Sequence, residues 1–450
     1  MHWTYGFSGI IPLREPREDP ALSTEPQTPS DEAAAPLKTS PDIAARCPFS
    51  IPMHQDEVLI EGLDDQFDAM RKQGSLAWTQ FPYGTVNDGK GWVATRFKDV
   101  KAILNDPRFS LAKQADDDYP RARVIEVGGP FPHSFVVMDP PSNAERRRTL
   151  LKHLTPERVK ALRPVTERLV DECLDEIEAE GQGADLLPGL VRRVPLLLLC
   201  ELLGAPPEER HIYVDYAHNY VSSKYKTVDD AMEALDVIKT YFAELCRRKR
   251  IEPGDDLISA LQHDIEVKGL WTNEELEGFG FVLLTAGHDS TASFISATLF
   301  WLLHNPEVFA RLRAEPDLVP KAVEEFLRLI PIGVPGTRAR VALEDVQVGD
   351  TLVRRNESIL AVPHAGNLDP SVYSNPREFD LDRKGEAQHI GFGFGPHFCV
   401  GSLLAKMDIE MVIRGLTRRF ATLEPAHFDP DWQIRARTRG PVTMKVRWTT

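Results

Sequence analysis

The chain has 450 residues, of which 42% are hydrophobic and 27% are charged, a composition typical of a globular protein with a large core. Its formal net charge of -15 argues against a nucleic-acid-binding protein, because contacts to phosphates need a basic face. The length alone would allow two or three domains.

Residues 1–45 predict a disordered extension, because they combine many prolines and acidic residues with low hydrophobicity and have no apolar signal-peptide segment. We expect residues 46–450 to form a single domain. The apolar run Val194–Cys200 is too short to cross a bilayer. The sequence therefore predicts a protein without a membrane anchor.

Helix predominates in the predicted elements, and the β portion is minor. Without βαβ alternation, a dinucleotide-binding sheet is not expected. In chain order we predict strands Leu76–Thr79 and Trp92–Thr95, a helix Phe97–Asn105, helices over Ser142–Leu312 with breaks at Gly181–Gly183, Gly204–Pro207 and Pro253–Gly254, strands Val341–Leu352 and Ser358–Val362, and a last helix Gly401–Phe420.

The cysteines predict neither a disulfide framework nor a zinc site, because they are odd in number, widely spaced and without a CxxC pair. This usage is typical of a reducing cytoplasm. Each cysteine is by default a buried small hydrophobe, and only Cys399 lies in a context that overturns this default. The five are Cys47, Cys173, Cys200, Cys246 and Cys399.

A glycine-rich loop carries Cys399 and opens directly onto the last helix. Gly393 and Gly395 permit a tight turn and a close approach of backbone to a flat ligand. Unpaired N–H groups and the helix dipole near Gly401 favour a thiolate over a thiol. One thiolate excludes an iron–sulfur cluster, which needs several, and implies a metal held also by another group such as a porphyrin.

The run F-G-x-G-x-H-x-C-x-G over Phe392–Gly401 resembles the haem-ligand signature of the cytochrome P-450 family. The resemblance implies that family's fold, with haem b between a long central helix and the cysteine-loop helix, and Cys399 as iron ligand. It also places Gly393 and Gly401 in the cofactor loop. His397 would contact a haem propionate, and Phe392 would pack near the sulfur and limit its access to water.

Thr272 and Glu275 form a capping box that opens a long helix ending near His304, roughly 48 Å at 1.5 Å per residue. Its side chains are apolar nearly all round, so it must be buried. The segment Ala286–Thr291 (AGHDST) nevertheless places polar groups in its middle. Such groups destabilise a buried helix, which suggests a function there.

This segment resembles the family's oxygen-activating motif A/G-G-x-D/E-T-T. The resemblance implies that Gly287, next to Ala286, leaves room for a diatomic ligand, and that Asp289 and the next hydroxyl relay protons. Ser290 replaces the usual threonine, with Thr291 next, so either could carry the relay. Serine donates the same hydrogen bond but lacks the methyl that fixes the rotamer, so electron coupling to product would be looser. In the alternative, these hydroxyls bond the carbonyl four residues back.

Two further motifs follow in the family's order. Glu325 and Arg328 resemble the structural E-x-x-R pair, and Arg340 matches an arginine that binds a haem propionate. Arg338 is a rival for that role on the same strand face. The segment Asn375–Phe379 resembles the family's meander, with a glutamate where arginine is common.

The segment from Met138 resembles the D-P-P-E-H-x-x-x-R motif, with Arg147 as its arginine and Asn143 in place of a propionate-binding histidine. With Arg146, Arg148 and Lys152 these residues predict a positive patch near the cysteine. An acidic ferredoxin would dock there.

The resemblance covers about residues 47–450 and implies a monomeric cytoplasmic monooxygenase. It would take electrons from NAD(P)H through a reductase and a ferredoxin, and insert one oxygen atom of O2 into a small hydrophobic or amphipathic organic substrate, typically in natural-product biosynthesis. Oxidative coupling or desaturation at the same haem is the close alternative, and a haem sensor or electron carrier is the remote one. Candidate pocket residues are Phe131, Phe135, Leu284, Thr285, Ile332–Pro335, Tyr213, Tyr216, Tyr220 and Tyr225.

Overall fold

A computed structural model describes most of the chain from Glu61 onward. The predicted extension, residues 1–45, and Cys47 lie outside the described residues. Within the described part, no helix is both long and apolar enough to cross a membrane. The described residues are 61–81, 85–115, 119, 135–212, 228–269, 272–331, 339–384, 387–426, 432–434 and 439–450.

The described elements are mostly helices, as predicted. The helices are α1 (Glu61–Gln73), α2 (Phe97–Asn105), α3 (Ser142–Leu151), α4 (Pro156–Ala161), α5 (Arg163–Glu180), α6 (Arg193–Leu203), α7 (Val228–Ile251), α8 (Leu257–Lys268), α9 (Asn273–His304), α10 (Pro306–Ala314), α11 (Val319–Leu329), α12 (Pro363–Asn367) and α13 (Ser402–Arg419). The strands are β1 (Leu76–Gln80), β2 (Lys90–Ala94), β3 (Phe109–Ser110), β4 (Arg340–Ala342), β5 (Val346–Val348), β6 (Thr351–Val353), β7 (Ser358–Ala361), β8 (Thr422–Pro425), β9 (Trp432–Ile434), β10 (Arg439–Pro441) and β11 (Val446–Thr449).

Helix α9 is the centre of the helical body and packs against α6, α7, α8 and α13. Its predicted capping box is confirmed, since Thr272 Oγ1 accepts from Glu275 N and the Glu275 carboxylate accepts from Thr272 N. Its apolar side chains join the largest hydrophobic core cluster. The predicted break after α6 is also confirmed. Gly204 ends that helix in the left-handed conformation, at φ 74°.

A five-stranded mixed sheet lies beside the helices, in the order β1-β2-β7-β4-β3. Strands β2 and β7 run parallel, and the other neighbours run antiparallel. Arg340 lies in β4, an interior strand of this sheet, opposite Ile359 of β7, and its side chain is buried. Three two-stranded sheets complete the described β structure: β5 with β6, β8 with β11, and β9 with β10.

The Glu325–Arg328 pair is a buried ion pair rather than a solvated one. Arg328 is 2% exposed, and its Nη2 donates to Glu325 Oε1 at 2.8 Å. The same guanidinium donates to the carbonyls of Pro376 and Glu378. Arg383 adds a second cation, with Nε 3.2 Å from Glu325 Oε1. Helix α11 is thus joined to the segment that precedes the cysteine loop, and Arg383 supplies the cation missing at position 378.

Replacing Glu325 tests how strongly this network stabilises the fold. The substitution Glu325→Gln leaves the buried Arg328 guanidinium without its carboxylate and removes one acceptor of Arg383, and we expect it to lower the free energy of unfolding by about 3–5 kcal/mol. Urea unfolding followed by circular dichroism measures the change. The matched control is Asp382→Asn, which removes an exposed pair with Arg311 and should leave the midpoint unchanged. Equal midpoints for the two variants would contradict the prediction.

Candidate active site

The cysteine loop has the tight geometry that its glycines predict. Gly393 and Gly395 adopt φ values of 78° and 69°, in the region that favours glycine. The Cys399 N–H closes the loop by donating to the Phe392 carbonyl at 2.9 Å. A Cβ at Gly395 would lie 2.8 Å from the Leu104 carbonyl oxygen, so the loop also packs closely on the end of α2.

Cys399 differs from the other described cysteines in its exposure. It is half-buried and lies three residues before α13, whereas the other three are buried. Burial raises the pKa of Cys173 to about 11 and the pKa values of Cys200 and Cys246 to about 12. Those three thiols are protonated and inert at neutral pH. Among the described cysteines, Cys399 is therefore the one placed to act as a ligand.

Asn143 and His397 lie next to each other, although 254 residues separate them. Asn143 Nδ2 donates to the Phe135 carbonyl at 2.6 Å and lies 3.5 Å from His397 Nδ1. The Asn143 side chain is fully buried, and its Oδ1 has no hydrogen-bond partner among the described residues. Asn143, which occupies the position of the family's histidine, thus still contacts the cysteine loop through its amide. Its Oδ1 remains an acceptor without a partner among the described residues.

Two arginines predicted to bind propionates lie in or beside the site. Arg147 Nη2 donates to the Phe398 carbonyl at 2.5 Å, and burial lowers the pKa of Arg147 while the nearby Cys399 opposes the shift. Burial also lowers the pKa of Arg340, to about 10. No carboxylate of the described residues forms an ion pair with Arg340, whose one described hydrogen bond is to the Phe109 carbonyl at 3.4 Å. The rival Arg338 lies outside the described residues.

One face of α9 is open at its middle. Ala286 is exposed and Ser290 partly exposed, one helical turn apart, while Asp289 and Thr291 are 5% and 6% exposed. Ser290 Oγ donates to the Ala286 carbonyl at 2.5 Å, which is the backbone-bonded alternative considered from the sequence. The hydroxyl lies at the open face all the same.

The opposite side of this segment packs against the protein interior. A Cβ at Gly287 would lie 3.1 Å from Leu199 of α6, so helix packing is one reason for a glycine there. His288 is 4% exposed, with Nε2 3.1 Å from the Arg192 carbonyl oxygen. The sequence predicts no role for His288, because its contact residue, Arg192, lies 96 residues away along the chain.

The candidate substrate pocket is only partly described. Phe135 is buried against Phe279, with ring centroids 5.8 Å apart, and Leu284 is fully buried in the core. The side chain of Thr285 is not described. The remaining candidates lie outside the described residues: Phe131, Ile332–Pro335, Tyr213, Tyr216, Tyr220 and Tyr225.

Comparisons with known proteins agree with this fold. The family model Cytochrome P-450 matches residues 207–445. Nocardicin C N-oxygenase of Nocardia uniformis subsp. tsuyamanensis is 36% identical over 89% of this chain and 98% of its own.

Two solved structures are similar over most of their length. A variant of the mixed-function P-450 MycG in complex with mycinamicin IV has a TM-score of 0.82 and 31% identity, over 88% of this chain and 99% of its own. Cytochrome P-450mel 107F1, described as having biaryl coupling reactivity, has a TM-score of 0.77 and 31% identity, over 89% and 99%.

The chain belongs to the cytochrome P-450 family. It is a haem monooxygenase with that family's fold. The residues present fit the cofactor. Arg340 is a buried cation that forms no ion pair with the described residues, only a Coulombic interaction with Asp139, and Cys399 is a partly exposed thiol at a helix start.

The burial and raised pKa values of Cys173, Cys200 and Cys246, beside the partial exposure of Cys399, predict selective alkylation. In the haem-free folded chain at pH 8, iodoacetamide should modify Cys399 at least about tenfold faster than Cys173, Cys200 or Cys246, because the thiolate is the nucleophile. Peptide mass spectrometry identifies the labelled cysteine. Unfolding in urea should equalise the rates. Fast labelling of Cys200 or Cys246 in the folded chain would contradict the assigned pKa values.

Proposed function

We propose that Cys399 is the haem ligand and that the chain oxidises a small hydrophobic or amphipathic natural product. The observation that carries the ligand assignment is the placement of Cys399, which is half-buried in a closed loop at the start of α13. Every other described thiol is buried and protonated at neutral pH. Phe392 and Gly393 form the loop, and Gly401 leads from it into α13.

Four side chains would hold the propionates and the loop. Arg340 and Arg147 supply positive charge from β4 and α3, and His397 and Asn143 supply ring and amide groups beside the cysteine. A planar guanidinium pairs well with a carboxylate, and such a pair would also satisfy the buried charge of Arg340. When bound, haem supplies an iron centre for the activation of dioxygen.

The polar segment of α9 would hold and move protons at the open face of the helix. The Ser290 hydroxyl is held at the open face by its hydrogen bond to the Ala286 carbonyl, and buried Asp289 occupies the preceding position of the helix. A hydroxyl can accept one proton while donating another, so Ser290 would pass protons towards the bound reactants once its O–H turned away from the Ala286 carbonyl, with Asp289 as the neighbouring acid. Thr291 is buried and is the second candidate for this role. Ala286 and Gly287 keep side-chain volume small next to the hydroxyl.

The relatives support a natural-product substrate without identifying one. One relative is named for N-oxygenation of nocardicin C, and another is a mixed-function enzyme solved with mycinamicin IV. We therefore favour oxygen insertion into a secondary metabolite. Biaryl coupling, the reactivity stated for a third relative, is the second candidate and uses the same residues.

The electron donor would dock at the cysteine side, with a reductase and a ferredoxin delivering electrons from NAD(P)H to this monomer. Leu151, Phe398 and Leu403 are exposed there, at 44%, 38% and 43%. Exposed Arg148 and Lys152 add positive charge for an acidic ferredoxin. Arg146 does not belong to this surface, because it forms an ion pair with Glu275 at the start of α9.

The ligand assignment is tested by Cys399→Ser. We expect the wild-type protein, reduced under carbon monoxide, to give the absorption band that marks a thiolate-bound haem. The hydroxyl of the introduced serine is a far weaker ligand, so the variant should lose that band and all turnover. The matched control is Cys200→Ser, a buried thiol outside the loop, which should keep the band. A thiolate band in Cys399→Ser would refute the assignment.

The role of Ser290 is tested by Ser290→Thr and Ser290→Ala. With a compound that shifts the Soret band as substrate, Ser290→Thr should raise the product formed per NADPH consumed, because the added methyl restricts the rotamer. Ser290→Ala should lower that ratio by about 100-fold, the lower end of the range expected when a proton-transferring group is lost. Product quantification beside NADPH absorbance gives the ratio. Unchanged coupling in both variants would assign the relay to Thr291.

A further inference from the structure

Glu324 on α11 joins the entrance of the cysteine loop to helix α13. His389 Nε2 lies 3.0 Å from Glu324 Oε2, and Lys406 Nζ lies 2.6 Å from Glu324 Oε1. The His389 side chain is 6% exposed and that of Lys406 25%. Burial raises the pKa of Glu324, but the hydrogen bonds from His389 and Lys406 outweigh it and leave the pKa below its ordinary value. Glu324 is therefore an ionised group with a partner on each oxygen.

The ring of His389 is held in one tautomer. The Gly391 N–H donates to His389 Nδ1 at 3.0 Å, so Nδ1 is an acceptor. The ring proton must then be on Nε2, which donates to Glu324. A neutral imidazole thus connects the carboxylate on α11 to the backbone of the loop.

From Gly391 the contacts continue to the cysteine. A Cβ at Gly391 would lie 2.5 Å from the Leu327 carbonyl oxygen, so the loop backbone rests directly on α11. The next residue is Phe392, whose carbonyl accepts the Cys399 N–H at 2.9 Å. Lys406 Nζ lies 5.7 Å from the Phe392 ring centroid, within cation–π range.

We propose that His389 and Glu324 are positioning residues for the Cys399 thiolate, and that Lys406 fixes Glu324 in place. The pair fixes the Gly391 N–H, and through Phe392 the direction from which the sulfur meets the iron. This inference rests on the proposed role of Cys399. It differs from the Glu325–Arg328 network, because Glu324 binds the loop itself and Glu325 binds the segment before it.

Two substitutions of His389 each remove one of its two hydrogen bonds, to Gly391 or to Glu324, and keep the other. In His389→Asn, the amide oxygen can take the place of Nδ1 and accept from Gly391, but the side chain is too short for Glu324. In His389→Gln, the longer amide reaches Glu324 and gives up the Gly391 bond. Glu324→Gln is a third variant that should fold in any case, because Glu324 is 42% exposed. The control is His364→Asn, which breaks an equally short histidine–carboxylate pair with Asp64.

The readouts on the full-length protein are amide exchange at Gly391, haem dissociation, midpoint potential and the thiolate band under carbon monoxide. His389→Gln should exchange Gly391 at least about tenfold faster and lose haem about tenfold faster, the usual effect of removing a partner of a ligand. Its potential should shift and its thiolate band should weaken. His389→Asn should restore Gly391 protection and recover most of the band. Glu324→Gln should fall between the wild type and His389→Gln, since one acceptor oxygen remains.

Wild-type exchange, haem retention, potential and band in both His389→Gln and Glu324→Gln would refute the proposal. So would equal losses in His389→Gln and His364→Asn, because those would reflect general destabilisation. The role of Cys399 fails separately, by a thiolate band that survives in Cys399→Ser.

Discussion

The burial of Arg328 is the constraint on which the cysteine side of the molecule depends. A guanidinium stays charged in a protein, so a buried one requires a carboxylate and an acceptor for each remaining N–H. Glu325 supplies the first, and the carbonyls of Pro376 and Glu378 supply others. Those carbonyls belong to irregular backbone, which must wrap onto α11 to reach the arginine. The cysteine loop begins at Phe392, 14 residues after Glu378, so the segment that leads to the loop is attached to α11.

Helix α9 carries polar side chains in the middle of an apolar helix, and these side chains need hydrogen-bond partners. Ser290 and His288 each use a backbone carbonyl, one within the helix and one on the neighbouring segment at Arg192. Their desolvation is thereby offset. The helix can then hold buried Asp289 between an open face and the protein interior. The same few residues thus keep the helix stable and present polar groups at its open face.

Features set by residues close in sequence were predictable. The capping box of α9, the glycine conformations of the cysteine loop and the pairing of Glu325 with Arg328 each follow from spacings of ten residues or fewer. Strands β8 to β11 were not predicted, because segments of three or four residues carry too little alternation to be distinguished from loops.

Contacts between distant residues could not be predicted in the same way. Asn143 replaces the family's histidine, yet its amide lies beside His397, 254 residues away. His389 lies 65 residues from Glu324, and no spacing rule pairs them. A histidine ten positions before Cys399 was the available signal. The partner of this histidine becomes evident only in the tertiary fold, in which α11 packs against the loop.

The glycines of the site differ in what occupies the space next to them, and this has an evolutionary consequence. Gly391 and Gly395 face backbone atoms, the carbonyls of Leu327 and Leu104, whereas Gly287 faces the side chain of Leu199. A second mutation can shrink a side chain, but none can remove a peptide group. A larger residue at position 287 can therefore be accommodated if a smaller side chain replaces Leu199. At positions 391 and 395 no substitution can remove the neighbouring backbone, so these two positions stay restricted to glycine, whereas position 287 can vary together with position 199.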